Sequence, residues 1–493
     1  MARNDLEARD LETLDRDLGR FAGLETAAAR AGRPLIAPGV ALIFIVLAAL
    51  AAGLLLPEGG NTLIVAAAAA FGAYMALNIG ANDVANNMGP AVGAEALTMG
   101  GAIVIAVIFE SAGALLAGGD VVTTISRGIV APEKLADSGV FIRAMMAALL
   151  ASALWVNLAT WVGAPVSTTH AVVGGVIGAG TVAAGASAVN WAMMGTIAAS
   201  WVVSPLMGGL CAAVFLWFIQ SRIVYRPDKI AAARVWVPVL VGVMAGAFGT
   251  YLVLKGLGHV VSVPLGQALG IGLVAGVVVW RVMIPVTRRQ SEGLENRNRS
   301  LKVLFGIPLV ASAALLSFAH GANDVANAVG PLAAIVQASR GADVMAAMAI
   351  PFWVMLIGAT GISFGLALFG PKLIRIVGDQ ITKLNPMRAY CVALSAAITV
   401  IIASALGLPV SSTHIAVGAI FGVGFFREWD SERRMRLVMA ELDRPRVPPE
   451  ERKRRKLVRR SHVLTIAAAW VITVPVTGVL SALIFLGIGL VGA

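Results

Sequence analysis

The chain has 493 residues, of which 58% are hydrophobic and only 13% charged, with 54 glycines, two cysteines and a formal net charge of +11. A water-soluble protein covers its surface with about 25% charged residues, so this composition excludes a soluble enzyme or binding domain and defines a polytopic membrane protein. The bases lie in connections between apolar runs, which assigns the positive balance to cytoplasmic loops and argues against a nucleic-acid partner. Cys211 and Cys391 fall within apolar runs and the five histidines are dispersed, so neither a disulfide framework nor a metal-ligand spacing is read.

Residues 1–34 carry both signs of charge (Asp5, Arg9, Asp10, Glu12, Arg16), which fits a solvated cytoplasmic tail and not a cleavable signal peptide. A first apolar span lies within 35–60. Further runs long enough to cross about 30 Å of hydrocarbon lie near 99–117, 139–162, 190–219, 235–257, 262–286, 343–370, 388–408 and 463–490. Four other segments read differently. Residues 61–97 and 302–338 are each an apolar run, a polar break and a second run bounded by Gly and Pro. Residues 164–185 and 409–425 open on Pro and hydroxyls and continue through small residues. All four are expected as broken or re-entrant helices, which membranes tolerate where the segment lines a cavity.

Within these segments two motifs occur twice. Gly80-Ala81-Asn82-Asp83-Val84-Ala85-Asn86 recurs as Gly321-Ala322-Asn323-Asp324-Val325-Ala326-Asn327, and Pro165-Val166-Ser167-Thr168-Thr169-His170 as Pro409-Val410-Ser411-Ser412-Thr413-His414. The step from Asp83 to Pro165 is 82 residues and from Asp324 to Pro409 it is 85. The chain therefore divides into the tail 1–34, an extra helix in 35–60, a repeat at 61–220, a two-helix linker at 221–301 and a second repeat at 302–493. The loop after the second hydroxyl motif, 426–462, is rich in Arg and Lys, whereas the matching segment 181–190 carries no charge. Equivalent loops on opposite faces imply inverted topology, with the N-terminus cytoplasmic and the C-terminus external. The fold class is an all-α polytopic membrane protein of about 11–12 membrane segments, built as two inverted repeats with broken or re-entrant helices.

Asn, Asp and hydroxyls at membrane depth are costly unless they meet a ligand, a cavity or a partner. A Pro ahead of Ser and Thr starts a helix, and a half-helix starting at mid-membrane aims N–H groups and its positive dipole end into the cavity. Ser167, Thr168 and Thr169 with Ser411, Ser412 and Thr413 thus form candidate donors to a small tetrahedral oxyanion. Back-bonding to helix carbonyls is the plain alternative for any one hydroxyl. Asp83 and Asp324 suit such an anion if it carries protons or travels with a cation: a P–OH donates to a carboxylate, and Na⁺ or H⁺ offsets the charge. The Asn82, Asn86, Asn323 and Asn327 amides serve either species, and Na⁺ is placed near Asn82, Asp83, Asn323 and Asp324. Glu110 is a candidate coupling-ion or proton site, with a structural pairing as the alternative. His170 and His414 either orient the turns, shuttle a proton or serve as hydrogen-bonded structural residues.

These two doubled motifs resemble the inorganic phosphate transporter family, the PiT symporters, over roughly residues 61–493. The resemblance implies symport of phosphate with Na⁺ or H⁺ by two inverted repeats in the cytoplasmic membrane, as a multi-pass protein among lipid, with no organic cofactor; a homodimer stays open. It implies phosphate contacts from Asp83, Asp324 and both hydroxyl triplets, and links Glu110 to transport. Many relatives carry a Glu sixteen residues before the second Pro, where this chain has Ala393, so the second half lacks the acid expected to partner Glu110.

Sulfate is the alternative cargo, although it has no proton to give a carboxylate at neutral pH. An anion channel fits Gly-rich loops but not intramembrane carboxylates. An enzyme is not expected: no acid–base set or nucleotide-binding Gly-rich loop accompanies the Ser and His residues.

Overall fold

A computed structural model describes residues 35–55, 62–135, 137–164, 166–256, 263–340, 350–380, 384–441 and 460–491. The tail 1–34, Pro165 and the 442–459 stretch of the basic loop lie outside the described residues. Those described form helices: α1 (Leu35–Leu55), α2 (Thr62–Gly93), α3 (Met99–Ala117), the short α4 (Gly119–Thr123), α5 (Ser138–Val162), α6 (Thr168–Ala184), α7 (Trp191–Ile219), α8 (Lys229–Tyr251), α9 (Leu265–Gln290), the short α10 (Leu301–Leu304), α11 (Gly306–Ser339), α12 (Phe352–Gln380), α13 (Pro386–Ala405), α14 (Ser412–Glu441) and α15 (Arg460–Val491). Eleven of the described helical stretches are long and apolar enough to cross a membrane, and α6 is a shorter apolar helix.

Two of these helices sit at the centre. Every residue from Met75 to Ala91 of α2 and from Ser312 to Ala338 of α11 is buried, whereas α1 and α9 turn Leu42, Leu47, Leu269 and Leu273 outward. A helix apolar all round and buried all round belongs to the interior of a helical assembly. Here the structure corrects the expectation for 61–97 and 302–338. Both run as continuous helices through their Gly-Ala-Asn-Asp motifs, with Pro90 and Pro331 inside them. Neighbouring helices meet the polar side chains, and that removes the need for a break.

The re-entrant expectation holds at the hydroxyl motifs. α5 ends at Gly163 (φ 76°) and α13 runs into Gly407 (φ 67°), left-handed positions that glycine adopts without strain. Each chain then turns back, through 164–167 into α6 and through 408–411 into α14. The side chain of Ser167 caps α6 by accepting from His170 N at 3.2 Å, and Ser411 accepts from His414 N at 3.3 Å.

The halves interlock. α2 packs on α12, and α11 on α3; α7, from the first half, packs on α14, while α15, from the second, packs on α6. Small residues make the crossings. A Cβ on Gly80 would strike the Ile362 carbonyl and one on Gly321 the Glu110 carbonyl; likewise Gly422 lies against Gly209 and Gly178 against Gly478. Without water to drive helices together inside a membrane, such close backbone approach supplies the packing energy. The pair α8–α9 packs mainly on itself. Phe248 and Tyr251 pack it on Phe318 of α11, and one polar tether to the core is Lys255, whose Nζ bonds Asp120 Oδ2 at 2.6 Å and the Ala405 carbonyl at 3.3 Å, beside the second turn.

Candidate functional site

The motifs of α2 and α11 meet the two re-entrant turns at the middle of the protein. Asp83 and Asp324 are each 1% exposed, yet three of their four oxygens accept from a hydroxyl. Thr168 Oγ1 donates to Asp83 Oδ2 at 3.0 Å and Thr413 Oγ1 to Asp83 Oδ1 at 3.1 Å. Ser412 Oγ donates to Asp324 Oδ2 at 2.8 Å, while Thr169 Oγ1, 3.5 Å from Asp324 Oδ1, gives its proton to the Val410 carbonyl at 3.0 Å. Asp83 thus holds one hydroxyl from each turn, and Asp324 holds Ser412 with Thr169 beside it. Thr168 and Ser412 play one part, Thr169 and Thr413 the other. Two amides complete the pattern: Asn86 Nδ2 donates to Thr413 Oγ1 at 2.8 Å and Asn327 Nδ2 to Thr169 Oγ1 at 3.1 Å.

Asn82 and Asn323 are placed otherwise. The Asn82 side chain lies 3.0 Å from Thr160 Oγ1 and 3.2 Å from the Val166 carbonyl. Asn323 donates to Ser404 Oγ at 2.9 Å and to the Leu408 carbonyl at 3.2 Å, and accepts from Val410 N at 3.2 Å. Both amides pin a turn to the helix that carries the neighbouring Asp. Ser167 and Ser411 spend their side-chain oxygens on helix caps. His170 and His414 face each other, ring centroids 4.4 Å apart, and Trp201 lies against His170 at 3.8 Å. The two re-entrant turns therefore touch through repeat mates.

One member of the site was not anticipated. His320, fully buried on α11, places Nε2 2.8 Å from Asp324 Oδ2 and 3.7 Å from Asp83 Oδ2, and Nδ1 3.3 Å from Glu110 Oε2. Glu110 Oε1 accepts from Asn87 Nδ2 at 2.9 Å. His320 precedes the second motif by one residue, where the first half has Ile79; reading only the repeated letters passes over it. Glu110 joins the central cluster through this imidazole.

The expected absent partner of Glu110 is also relocated. Ala393 is a buried residue of α13, the helix equivalent to α5, and sixteen residues before Pro165 stands Leu149, not Glu110. The equivalent of Glu110 is Ile362: Gly321 packs on the Glu110 backbone as Gly80 does on that of Ile362.

Chemically the cluster is three carboxylates and one imidazole in a buried space, with no Lys or Arg bonded to it among the described residues. Burying that much negative charge is costly unless cations or protons accompany it. Oxygen and nitrogen atoms of Asp83, His320 and Asp324 lie within 4.8 Å of one another, close enough to share one cation. Around this space stand four hydroxyls and the N-terminal ends of α6 and α14, which favour an anion. A buried polar centre enclosed by helices long and apolar enough to cross a membrane is the layout of a multi-pass membrane transporter.

The comparisons agree with that class. Residues 79–481 match the Phosphate transporter family, and the chain belongs to it. It is 44% identical over 520 residues to a Helicobacter pylori (strain J99) protein named "Putative phosphate permease", covering 95% of this chain and 98% of that one. Its namesake in Pyrococcus abyssi is 36% identical over 421 residues, covering 85% and 97%. A solved structure titled "The sodium-dependent phosphate transporter" superposes with a TM-score of 0.78 at 34% identity, over 87% of this chain and 99% of that one.

Proposed function

We propose that this protein is a cation-coupled symporter that carries inorganic phosphate into the cell across the cytoplasmic membrane. The observation that supports it is the pairing of both Asp83 oxygens and one Asp324 oxygen with hydroxyls from the re-entrant turns. Those hydroxyls cannot serve a carboxylate and a phosphate at once. A Na⁺ taken up between Asp83 and Asp324 draws the carboxylate oxygens to itself and releases Thr168, Ser412 and Thr413. The freed hydroxyls and the N-termini of α6 and α14 then turn to the oxyanion. Cation binding thereby raises phosphate affinity, which is the thermodynamic content of coupling. Protonation of the same carboxylates would act in the same sense.

His320 and Glu110 adjust the charge of this centre, and Asn82 and Asn323 keep each turn in register with its Asp. The repeats 61–220 and 302–493 are read as inverted units that rock around the fixed site, with 221–301 inserted between them. The Arg- and Lys-rich connections at 221–234, 287–302 and 426–462 support an N-terminus inside and a C-terminus outside. No covalent step is assigned to the chain.

The test is uptake of radiolabelled phosphate into proteoliposomes with Na⁺ and pH gradients imposed separately. Phosphate accumulation should follow one of the two gradients and saturate. Sulfate accumulation without phosphate accumulation, or flux indifferent to both gradients, would overturn the reading.

A further inference from the structure

Away from the central cluster, one cleft gathers positive charge with nothing to balance it. A cavity of about 270 Å³ opens between α7, α10, α13 and α14. Lys302, Arg388 and Arg427 line it together with the amides of Gln220, Asn298 and Asn385, and among the described lining residues there is no carboxylate. Arg388 and Arg427 are half-buried, while Lys302 and Asn298 are exposed and mark its mouth.

The details favour a ligand over a packing accident. Asn385 caps α13, its Oδ1 accepting from Arg388 N at 3.0 Å and from Arg388 Nε at 2.9 Å. That bond fixes the guanidinium and leaves its two terminal nitrogens as an open fork, the geometry that holds phosphate or carboxylate oxygens bidentately. The N-terminus of α13, a 20-residue helix, adds its positive dipole end at the same place. Gln220 Oε1 is buried without a hydrogen-bond partner, an acceptor available to a P–OH group. Holding two partly desolvated guanidiniums in one cleft is unfavourable until an anion joins them.

We propose that this cleft binds a phosphate-bearing anion, either inorganic phosphate or the headgroup of an anionic phospholipid, at a site separate from the transport centre. The cleft joins α7 and α10 to the base of the α13–α14 hairpin, so an occupant clamps the hairpin that presents Ser412 and Thr413. The inference does not depend on what the central site carries.

Two probes separate the sources. Full-length protein in lipid-free detergent, carrying Asp83→Asn and Asp324→Asn to weaken the central contribution, is titrated with radiolabelled inorganic phosphate by equilibrium dialysis. Full-length protein is separately titrated with phosphatidylglycerol and with phosphatidylcholine and followed by native mass spectrometry. In each arm the readout is the change on adding Arg388→Gln with Arg427→Gln, in protein shown monodisperse by size exclusion. A loss of about tenfold in affinity is expected in at least one arm, equivalent to about 1.4 kcal/mol. Arg388→Lys with Arg427→Lys, which keeps the charge, should lose less. A shift with phosphate alone assigns free phosphate, one with phosphatidylglycerol alone assigns a headgroup, and shifts with both assign the shared chemistry. If the double variant does not fold, exposed Lys302→Glu replaces it and should weaken the same arm. Unchanged affinity for both probes, or phosphatidylcholine bound as tightly as phosphatidylglycerol with no phosphate shift, overturns the proposal.

Discussion

Ser111 Oγ and Ser363 Oγ lie 2.7 Å apart, each one residue past an equivalent position, Glu110 in the first half and Ile362 in the second. The two halves therefore meet serine to serine, yet differ in the residue beside each. Glu110 is joined by His320 and Asn87; the residues at the matching places, Ile362, Ile79 and Ala328, are all apolar. A shared scaffold carries one polar cluster where strict repetition would give two.

That asymmetry is testable by charge placement. Ile362→Glu puts a carboxylate among residues that cannot pair it, and leaving a charge uncompensated in the interior costs about 3–5 kcal/mol. The purified variant should melt at lower temperature than the parent, whereas Ile362→Leu should stay within about 1.5 kcal/mol. Equal melting of Ile362→Glu and parent would mean that the second half holds a polar partner after all.

Asp83→Asn and Asp324→Asn keep an acceptor for the re-entrant hydroxyls but remove the charge that a cation answers. Uptake in proteoliposomes should fall about a hundredfold, with the protein still folded, since losing the charge partner of the cation removes a coupling free energy of about 1–3 kcal/mol. Undiminished, still gradient-driven uptake would remove these residues from the coupling.

Asn323→Ala deletes three hydrogen bonds from α11, two to the second turn and one to Ser404 of α13. At about 1 kcal/mol each, the turn should loosen: a cysteine introduced at Leu408 should react with a water-soluble maleimide faster than in the parent, and phosphate uptake should drop. Lys255→Met should raise the same reactivity, because Lys255, just past α8, bonds Asp120 of α4 and the carbonyl of Ala405, the last residue of α13 before that turn.

Gly80→Ala and Gly321→Ala drive a methyl into a backbone carbonyl of the crossing helix. Backbone cannot yield as a side-chain tip can, so each should cost about 1–3 kcal/mol or more, seen as lower yield and earlier thermal aggregation. Gly100→Ala and Gly270→Ala, with nothing near the added carbon, serve as controls.

Much of this arrangement was legible in the letters. Two polar motifs repeated in apolar sequence indicate a doubled scaffold, and Pro followed by hydroxyls marks the start of each half-helix; α6 and α14 begin within those motifs. The motif helices were less legible, because Gly, Asn and Pro in α2 and α11 carry the signals that end a helix in water. Inside the protein those signals lose their meaning, since Glu110 and the two turns supply the partners that water would. His320 escaped notice because its importance is spatial: the imidazole reaches Glu110 on α3, 210 residues earlier in sequence, through a packing that no local spacing encodes. Counting back from Pro409 led to Ala393 for a similar reason, as the helix that answers to α3 is α12 and not α13.

A carrier must also be tight to everything it does not carry. When Thr168, Ser412 and Thr413 grip the aspartates, the same contacts stitch the re-entrant turns to α2 and α11. They leave little that would draw a file of water through the bilayer. On the proposed coupling the resting protein would be its own stopper, and the ion that loosens the stitches would be the one whose gradient drives the work.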